Sequence, residues 1–152
     1  MPFSNLRRRI EKLEAFDMES EVTRIVQENG DWLVSRLRQQ LAKGIDADLT
    51  PALGNYGPFY ADKTVLYKER HGVGLGKETG FVTNYMTGNF YLSLNIEVAN
   101  NNFVFTSTVP YFYDILQRSG THRIVELNNQ DLAYFSKYIL LPQLRLNFNN
   151  GI

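Results

Sequence analysis

Residues 88–107 carry the clearest periodic pattern in the sequence, and they limit the possible folds more than any other stretch. Apolar and polar side chains alternate over the first half, which indicates a strand with one buried face. The apolar positions are Phe90, Leu92, Leu94, Ile96 and Val98, and the intervening positions are Tyr91, Ser93, Asn95 and Glu97. Residues 99–102 are rich in asparagine and favour a turn, after which residues 103–106 return as a second strand. The stretch predicts an antiparallel hairpin, and Gly88 before it predicts a positive φ angle or a close backbone approach.

A long helix is predicted over residues 17–43, packed on the apolar face of the hairpin. Its apolar side chains follow a helical stripe that includes Val22, Val26, Leu33, Leu37 and Leu41. Asp17 is the expected N-cap, with Ser20 as a competing cap, and Gly44 is the expected stop. Gly30 lies within an Asn-Gly-Asp sequence in the middle of this helix. Since glycine costs about 1 kcal/mol in a helix interior, we expect a kink or a break into two helices there.

Before this helix, residues 3–16 predict an amphipathic helical arm. Leu6, Ile10 and Leu13 share one face of it. Four basic side chains surround that face: Arg7, Arg8, Arg9 and Lys12. Two interpretations stay open, since these charges either touch phosphate or an acidic neighbour, or simply form a solvated face.

The C-terminal third predicts two more helices. Residues 110–120 begin with proline and end with glycine, as short helices commonly do. Residues 123–127 are expected to be extended. Asn128 or Asn129 caps a last helix that Pro142 should kink or stop, and residues 147–152 are expected to form a loose tail. The predicted fold class is α+β: a small antiparallel sheet, the central hairpin 88–107, packed against a long N-terminal helix and a C-terminal helix.

Length and charge narrow the class of protein. The 152 residues predict one domain, 1–152, with a helical arm at 1–16, an extended loop region at 45–80 and a tail at 147–152. Lysine plus arginine and aspartate plus glutamate both number 16, whereas free nucleic-acid-binding domains are usually basic. The chain has no cysteine, which excludes disulfides, thiolate metal sites and cysteine nucleophiles. No signal-peptide run or membrane-spanning segment is expected.

Motifs for catalysis or cofactor binding do not appear in the sequence. The glycine-rich segment 72–80 fails as a phosphate-binding loop, because Gly76-Lys77 is followed by Glu78 and the position five before Gly76 is His71. His71 and His122 lie in different predicted loops, without a carboxylate at ligand spacing. No serine lies in a nucleophile motif. The sequence therefore predicts no catalytic residues, no metal site and no cofactor.

The loop region 45–80 is the best candidate for a functional surface, since irregular segments of this length usually carry function. We expect residues 48–80 to be ordered chiefly by contacts between chains. The predicted interface aromatics are Tyr56, Phe59, Tyr60 and Tyr67. The basic residues expected at a rim, or facing a channel that holds DNA, are Lys63, Lys68, Arg70 and Lys77.

The order of these parts resembles one known family. The segments that carry the resemblance are QQLAKG (39–44), YADKT (60–64), YKERHG (67–72), TGNFY (87–91) and LPQL (141–144). Over residues 17–146 the chain resembles the small neck and tail-completion proteins of tailed bacteriophages, which join the capsid portal to the tail as rings. Within that family it is most similar to a subgroup from phages and prophages of Bacteroides-type hosts.

The resemblance implies a structural virion protein without enzymatic activity. Such a subunit forms a homo-oligomeric ring and contacts portal, adaptor or tail proteins, with possible non-specific contact to packaged DNA and none to a membrane. It is made in the cytoplasm of the bacterial host and ends up in the virion. The alternative is a monomeric binding module for nucleic acid or a host protein, and an uncharacterised enzyme comes third.

Overall fold

The computed structural model describes residues 2–53, 57–99 and 102–150, and its fold is α+β, as predicted. The helices are α1 (Pro2–Ala15), α2 (Met18–Glu28), α3 (Gly30–Ala42), α4 (Asp62–His71), α5 (Asn89–Ser93), α6 (Phe112–Ser119), α7 (Asn129–Phe135) and α8 (Leu141–Asn150). The strands β1 (Leu94–Ala99) and β2 (Asn102–Ser107) form a two-stranded antiparallel sheet. Single 3₁₀ turns occupy Gly74–Lys77 and His122–Val125.

The predicted long helix is divided at Asn29 into α2 and α3. Asp17 caps α2, because its carboxylate accepts a hydrogen bond of 3.0 Å from the Ser20 backbone N–H. Asn29 ends α2, and its side-chain amide donates to the Ile25 carbonyl over 2.8 Å. The end of α3 is also as predicted, since Gly44 follows the C-cap with a φ of +66°.

The hairpin packs one face on α2 and α3. Its register pairs Ile96 with Phe105 and Val98 with Phe103, so these four side chains and Leu94 lie on the same face. Leu94 and Phe105 are buried within the core, and the other three pack against it. The first turn of α3 approaches β1 so closely that a Cβ atom on Gly30 would lie 3.0 Å from Ile96 Cγ2. Gly30 therefore both breaks the helix and lets the sheet approach it.

The prediction of a strand from residue 88 is wrong before Leu94, because residues 89–93 form the short helix α5. Gly88, with a φ of +89°, reverses the chain immediately before it. A helical turn lets the consecutive residues Phe90 and Tyr91 both enter the core, which a strand with one buried face does not allow. Leu92 then points outward and is 76% exposed. The alternation of buried and exposed side chains holds only from Leu94 onward.

The core is completed by α6, the second 3₁₀ turn and α7. Phe112 of α6 stacks on Phe90 with ring centroids 6.2 Å apart, and Phe135 of α7 is buried in the same cluster. The helix predicted over residues 110–120 is present as α6. The prediction that residues 123–127 are extended is wrong for residues 123–125, which lie in the 3₁₀ turn, although the backbone of Glu126 is extended. The 3₁₀ turn forms instead because it buries both Ile124 and Val125.

A buried polar link joins α3 to the start of α7. The Gln40 side-chain oxygen accepts hydrogen bonds of 3.1 Å from both the backbone N–H and the side-chain amide of Asn128. The Gln40 amide nitrogen donates to the Glu126 carbonyl over 2.8 Å. Asn128 in turn caps α7, because its side-chain oxygen accepts from the Asp131 N–H over 3.0 Å. Of the two asparagines proposed as the cap, Asn128 has this role.

The C-terminal helix continues past Pro142. A π-helical turn at Ser136–Leu140 joins α7 to α8, and the Leu141 N–H donates to the Ser136 carbonyl. Since Pro142 has no N–H, the wider turn before it accommodates the missing helical hydrogen bond. Of the two expectations for Pro142, a kink or a stop, the stop is wrong, because α8 extends to Asn150. The expectation of a loose tail from residue 147 is wrong up to Asn150 for the same reason.

Candidate functional site

The predicted functional region contains a buried network built around Tyr60 and Lys68. The Tyr60 hydroxyl oxygen accepts hydrogen bonds from the backbone N–H groups of Thr83, over 2.9 Å, and Asn84, over 3.1 Å. Lys68 Nζ donates to the Tyr85 carbonyl over 2.6 Å and lies 4.6 Å from the centroid of the Tyr60 ring. The network therefore attaches α4 to the segment that leads into the hairpin.

The prediction that Lys68 lies at a rim is wrong, because its side chain is 0% exposed. It lies on the inner side of α4, where the Tyr85 carbonyl and the Tyr60 ring replace the contacts that water would make. The expectation that contacts between chains chiefly order residues 48–80 stays a prediction, but Tyr60 and Lys68 also have partners within their own chain. Both are fixed by hydrogen bonds within one chain.

The other predicted residues lie on the surface, mostly on the outer side of α4. Phe59 is 61% exposed and Tyr67 is 50% exposed. Lys63, Arg70 and Lys77 are exposed as well. Helical spacing puts Lys63, Leu66, Tyr67 and Arg70 on one face of α4, which we call the α4 outer face. Tyr56 lies outside the described residues, and the interface role of the whole set stays a prediction.

The glycine-rich segment after α4 forms a tightly packed turn. A Cβ atom on Gly72 would lie 2.3 Å from the Gly76 carbonyl oxygen, and one on Gly76 would lie 2.6 Å from the Met86 carbonyl oxygen. These glycines permit close backbone contacts within the chain. The segment thus holds α4 against the residues that precede the hairpin.

A cleft with a volume of about 430 Å³ opens between residues 59–64, residues 82–90 and the region of α6. Its walls are mainly apolar and aromatic, and include Phe59, Tyr60, Tyr85, Met86, Tyr111 and Ile115. Asn84, which has a φ of +54°, contributes a buried side-chain amide nitrogen that finds no hydrogen-bond partner among the residues that the structure describes. Arg118 is the charged residue of the lining, and no carboxylate pairs with it within the described part of the chain. The cleft therefore offers hydrogen-bond donors and an aromatic wall to a ligand.

Tyr91 and Gly88 contact Thr83 and Tyr85, in the segment that leads into the hairpin. The Tyr91 hydroxyl donates to the Thr83 carbonyl over 2.7 Å. Burial raises the pKa of Tyr91, and the neighbouring Tyr60 and Tyr85 raise it further, so the hydroxyl stays a neutral donor. A Cβ atom on Gly88 would lie 2.7 Å from the Tyr85 hydroxyl oxygen. Both predicted reasons for glycine at position 88, a positive φ and a close approach, are confirmed.

The arm helix α1 presents an apolar face to solvent. Leu6, Ile10 and Leu13 are all exposed on it. On the remaining surface, partial burial lowers the pKa of Lys12, and the nearby charges of Arg8 and Arg9 lower it further. The positive charges of the arm are therefore crowded, and an acidic neighbour would relieve their repulsion.

A second groove lies between α2 and the end of the hairpin at which its two strands are joined by the turn. Its volume is about 310 Å³. Its apolar lining consists of Met18, Val22, Val26, Val98 and Phe103, with Glu19 and Thr23 beside them. We call it the α2–hairpin groove. It is apolar at the centre, and the charged residue in its lining is acidic.

Neither the polar residues of the cleft nor the α2–hairpin groove could be recognised from the sequence. Asn84 and Arg118 are far apart in the chain, and neither belongs to a recognisable motif. One local indication was available for Asn84, because asparagine tolerates a positive φ better than most residues. Of the groove residues, Val22 and Val26 belong to the predicted helical stripe, and Val98 and Phe103 belong to the predicted strands. Periodicity does not show which part of a stripe or strand face is left uncovered.

Two further observations concern metal binding and membranes. Within residues 2–53, 57–99 and 102–150, no three His, Asp or Glu side chains are grouped so that they could hold a metal ion. His71 instead packs on the Tyr67 ring, with centroids 4.6 Å apart. No helix in the described part of the chain is long and apolar enough to cross a bilayer.

Comparison of the chain with known protein families, with curated proteins and with solved structures found no match.

Proposed function

We propose that this chain is a structural virion protein: a ring-forming neck, head–tail connector or tail-completion subunit of a tailed bacteriophage. It is made in the host cytoplasm, acts in the virion and has no catalytic role. The order of its sequence motifs supports this, and the α4 outer face is the structural observation on which the proposal depends. Leu66 and Tyr67 are half exposed there beside Lys63 and Arg70.

The composition of the α4 outer face fits a contact between subunits. Phe59 and Val73, which flank α4, are also exposed, so the apolar surface continues past both ends of the helix. Exposed aromatic residues beside arginine are typical of the side chains that dominate binding energy at protein interfaces. The adjacent Lys63 and Arg70 would lie at the rim of such a contact. Repeated around a ring, these charges would add to a positive field near a channel that carries DNA.

Mass spectrometry of particles purified from the source strain tests this proposal. We expect the chain in the particles at a copy number per portal that matches a ring. Tyr67→Glu should remove it from particles while the variant stays folded, because a carboxylate would be buried at the contact. Tyr113→Glu is the matched control: Tyr113 is 77% exposed on α6, away from this face. Absence of the wild-type chain from particles would refute the proposal.

The cleft beside Asn84 favours a second candidate, a monomeric binding module. The Asn84 amide nitrogen has no partner among the described residues, and Arg118, whose Nε donates to the Asp114 carbonyl, forms no ion pair with them. Both would suit a partner that presents acceptor groups between aromatic walls. A chain that remains monomeric, is absent from particles and retains a host protein or nucleic acid through Arg118 would support this candidate. Arg118→Gln should then abolish that retention, whereas Arg145→Gln on α8 should preserve it.

A further inference from the structure

We infer that α1 of one copy of this chain docks in the α2–hairpin groove of a second copy. The inference rests on the proposed function to the extent that both require self-association. It goes further, because it names the two surfaces that meet. Neither surface belongs to the α4 outer face.

The apolar stripe of α1 and the groove have matching lengths. Leu6, Ile10 and Leu13 recur at spacings of four and three, so they form one ridge along the helix. At 1.5 Å per residue the ridge is about 10 Å long. Met18 and Val26 mark the two ends of the α2 wall, and by the same rise they lie about 12 Å apart. A ridge of this length can enter the groove as one helix packs on another.

The charges of the two surfaces are complementary. Arg7 and Arg9 flank the apolar ridge of α1 on opposite sides. The groove is bordered by Glu19, which has no ion pair within the described part of the chain. Docking would thus cover the exposed apolar face of α1 and bring its crowded positive charges to an acidic edge.

Contacts at the end of α1 favour docking on a different copy over folding back on the same chain. Residues 16 and 17 are all that separate α1 from α2. The Phe16 ring packs edge-on against Phe148 of α8 at 5.2 Å, which fixes the direction in which the arm leaves the body. Since the arm and the groove are different surfaces, each copy can offer one arm and receive another. Contacts of this type form rings when the rotation between copies closes.

Disulfide trapping tests this inference cleanly, because the natural chain has no cysteine. Full-length Ile10→Cys and Thr23→Cys chains are prepared separately, mixed and oxidised. Thr23 lines the groove, whereas Ser35 is exposed on α3 outside it. We expect a disulfide-linked pair from the Ile10→Cys and Thr23→Cys mixture, well above the yield from Ile10→Cys with Ser35→Cys. Equal yields from the two mixtures would overturn the inference. A chain that carries both Ile10→Cys and Thr23→Cys provides a second test, and formation of the disulfide within that one chain would also overturn the inference.

A pair of glutamate substitutions separates docking from general loss of folding. Ile10→Glu places a charge on the apolar ridge, and Ala15→Glu places the same side chain on the opposite face of α1. Ile10→Glu should weaken self-association roughly ten- to hundredfold, since burying one isoleucine is worth about one to two factors of ten. Ala15→Glu should leave it unchanged, and equal effects would contradict the docking.

The result for docking is independent of the result for the virion proposal. Trapping of the groove pair, with the chain absent from particles, would refute the ring function and support the docking. Presence in particles without trapping would overturn the docking and support the ring function.

Discussion

Removing one oxygen atom from Tyr60 should destabilise the fold far more than the same change at Tyr67. Tyr60→Phe leaves the ring in place, so the contact with Lys68 keeps its shape. It removes the acceptor for two backbone N–H groups, those of Thr83 at 2.9 Å and Asn84 at 3.1 Å. No other part of the side chain can replace that acceptor.

The expected loss follows from the burial of those two donors. Thr83 is fully buried, so its N–H loses its partner without gaining water. An unsatisfied buried donor costs about 1–3 kcal/mol. Asn84 lines the cleft, where water can compensate in part. Together these effects predict a loss of about 2–4 kcal/mol in the free energy of unfolding, which corresponds to a fall of roughly 5–15 °C in Tm for a chain of this size.

Urea and thermal unfolding followed by circular dichroism would measure this difference. Tyr67→Phe is the matched control, because Tyr67 is half exposed and its hydroxyl makes no hydrogen bond within the described part of the chain. Its expected effect is below about 0.5 kcal/mol. If the two variants unfold with the same midpoint, the Tyr60 network does not stabilise the isolated chain. Ordering of this region would then have to come from contacts between chains after all.

Three further predictions concern the hairpin and one surface ion pair. Leu94→Ala should lower the free energy of unfolding by about 2–5 kcal/mol, because Leu94 is buried. Leu92→Ala should lower it by less than about 0.5 kcal/mol, because Leu92 is exposed, and equal losses would contradict the position of α5. Gly88→Val should lower Tm and soluble yield, because valine is strained at a φ of +89°, and an unchanged Tm would refute this. The hydrogen bond with Arg123 lowers the pKa of Asp48 below its ordinary 3.8. The ionised Asp48 therefore adds to the free energy of unfolding above about pH 4, and this contribution is lost as pH falls through the lowered pKa. Asp48→Asn should flatten the acid side of the unfolding profile, measured as midpoint against pH.

Local chemistry explains what could be predicted from the sequence. Asp17, Gly44 and Asn128 end or begin helices through properties that each residue carries by itself: a short acceptor side chain or freedom at positive φ. The break at Asn29 and the return strand of the hairpin follow from equally local preferences. These features need no knowledge of the rest of the fold.

The errors fall where tertiary contacts decide between two local possibilities. Residues 89–93 alternate like a strand, but Tyr91 has a partner for its hydroxyl at the Thr83 carbonyl, and the Arg38 guanidinium donates to the Tyr91 carbonyl over 2.7 Å. Thr83 lies eight residues before Tyr91 and Arg38 lies 53 residues before it, and the helical turn allows both hydrogen bonds. The prediction that Lys68 lies at a rim fails because basic residues close together in the sequence do not show which side of their helix faces the interior. Tyr67 is exposed and its interface role stays a prediction, whereas the cleft at Asn84 required the assembled fold.

The buried link between Gln40 and Asn128 has a consequence for how the chain folds. The two residues are 88 positions apart, so the first turn of the C-terminal helix gains its anchor only after most of the chain has been synthesised and folded. Until then the Gln40 side chain lacks the partners that it has at Glu126 and Asn128, so these contacts cannot stabilise α3 in the nascent protein. Native-state hydrogen exchange should accordingly show α3 and α7 as a single cooperative unit. Their amides should open together, at a free energy close to that of global unfolding.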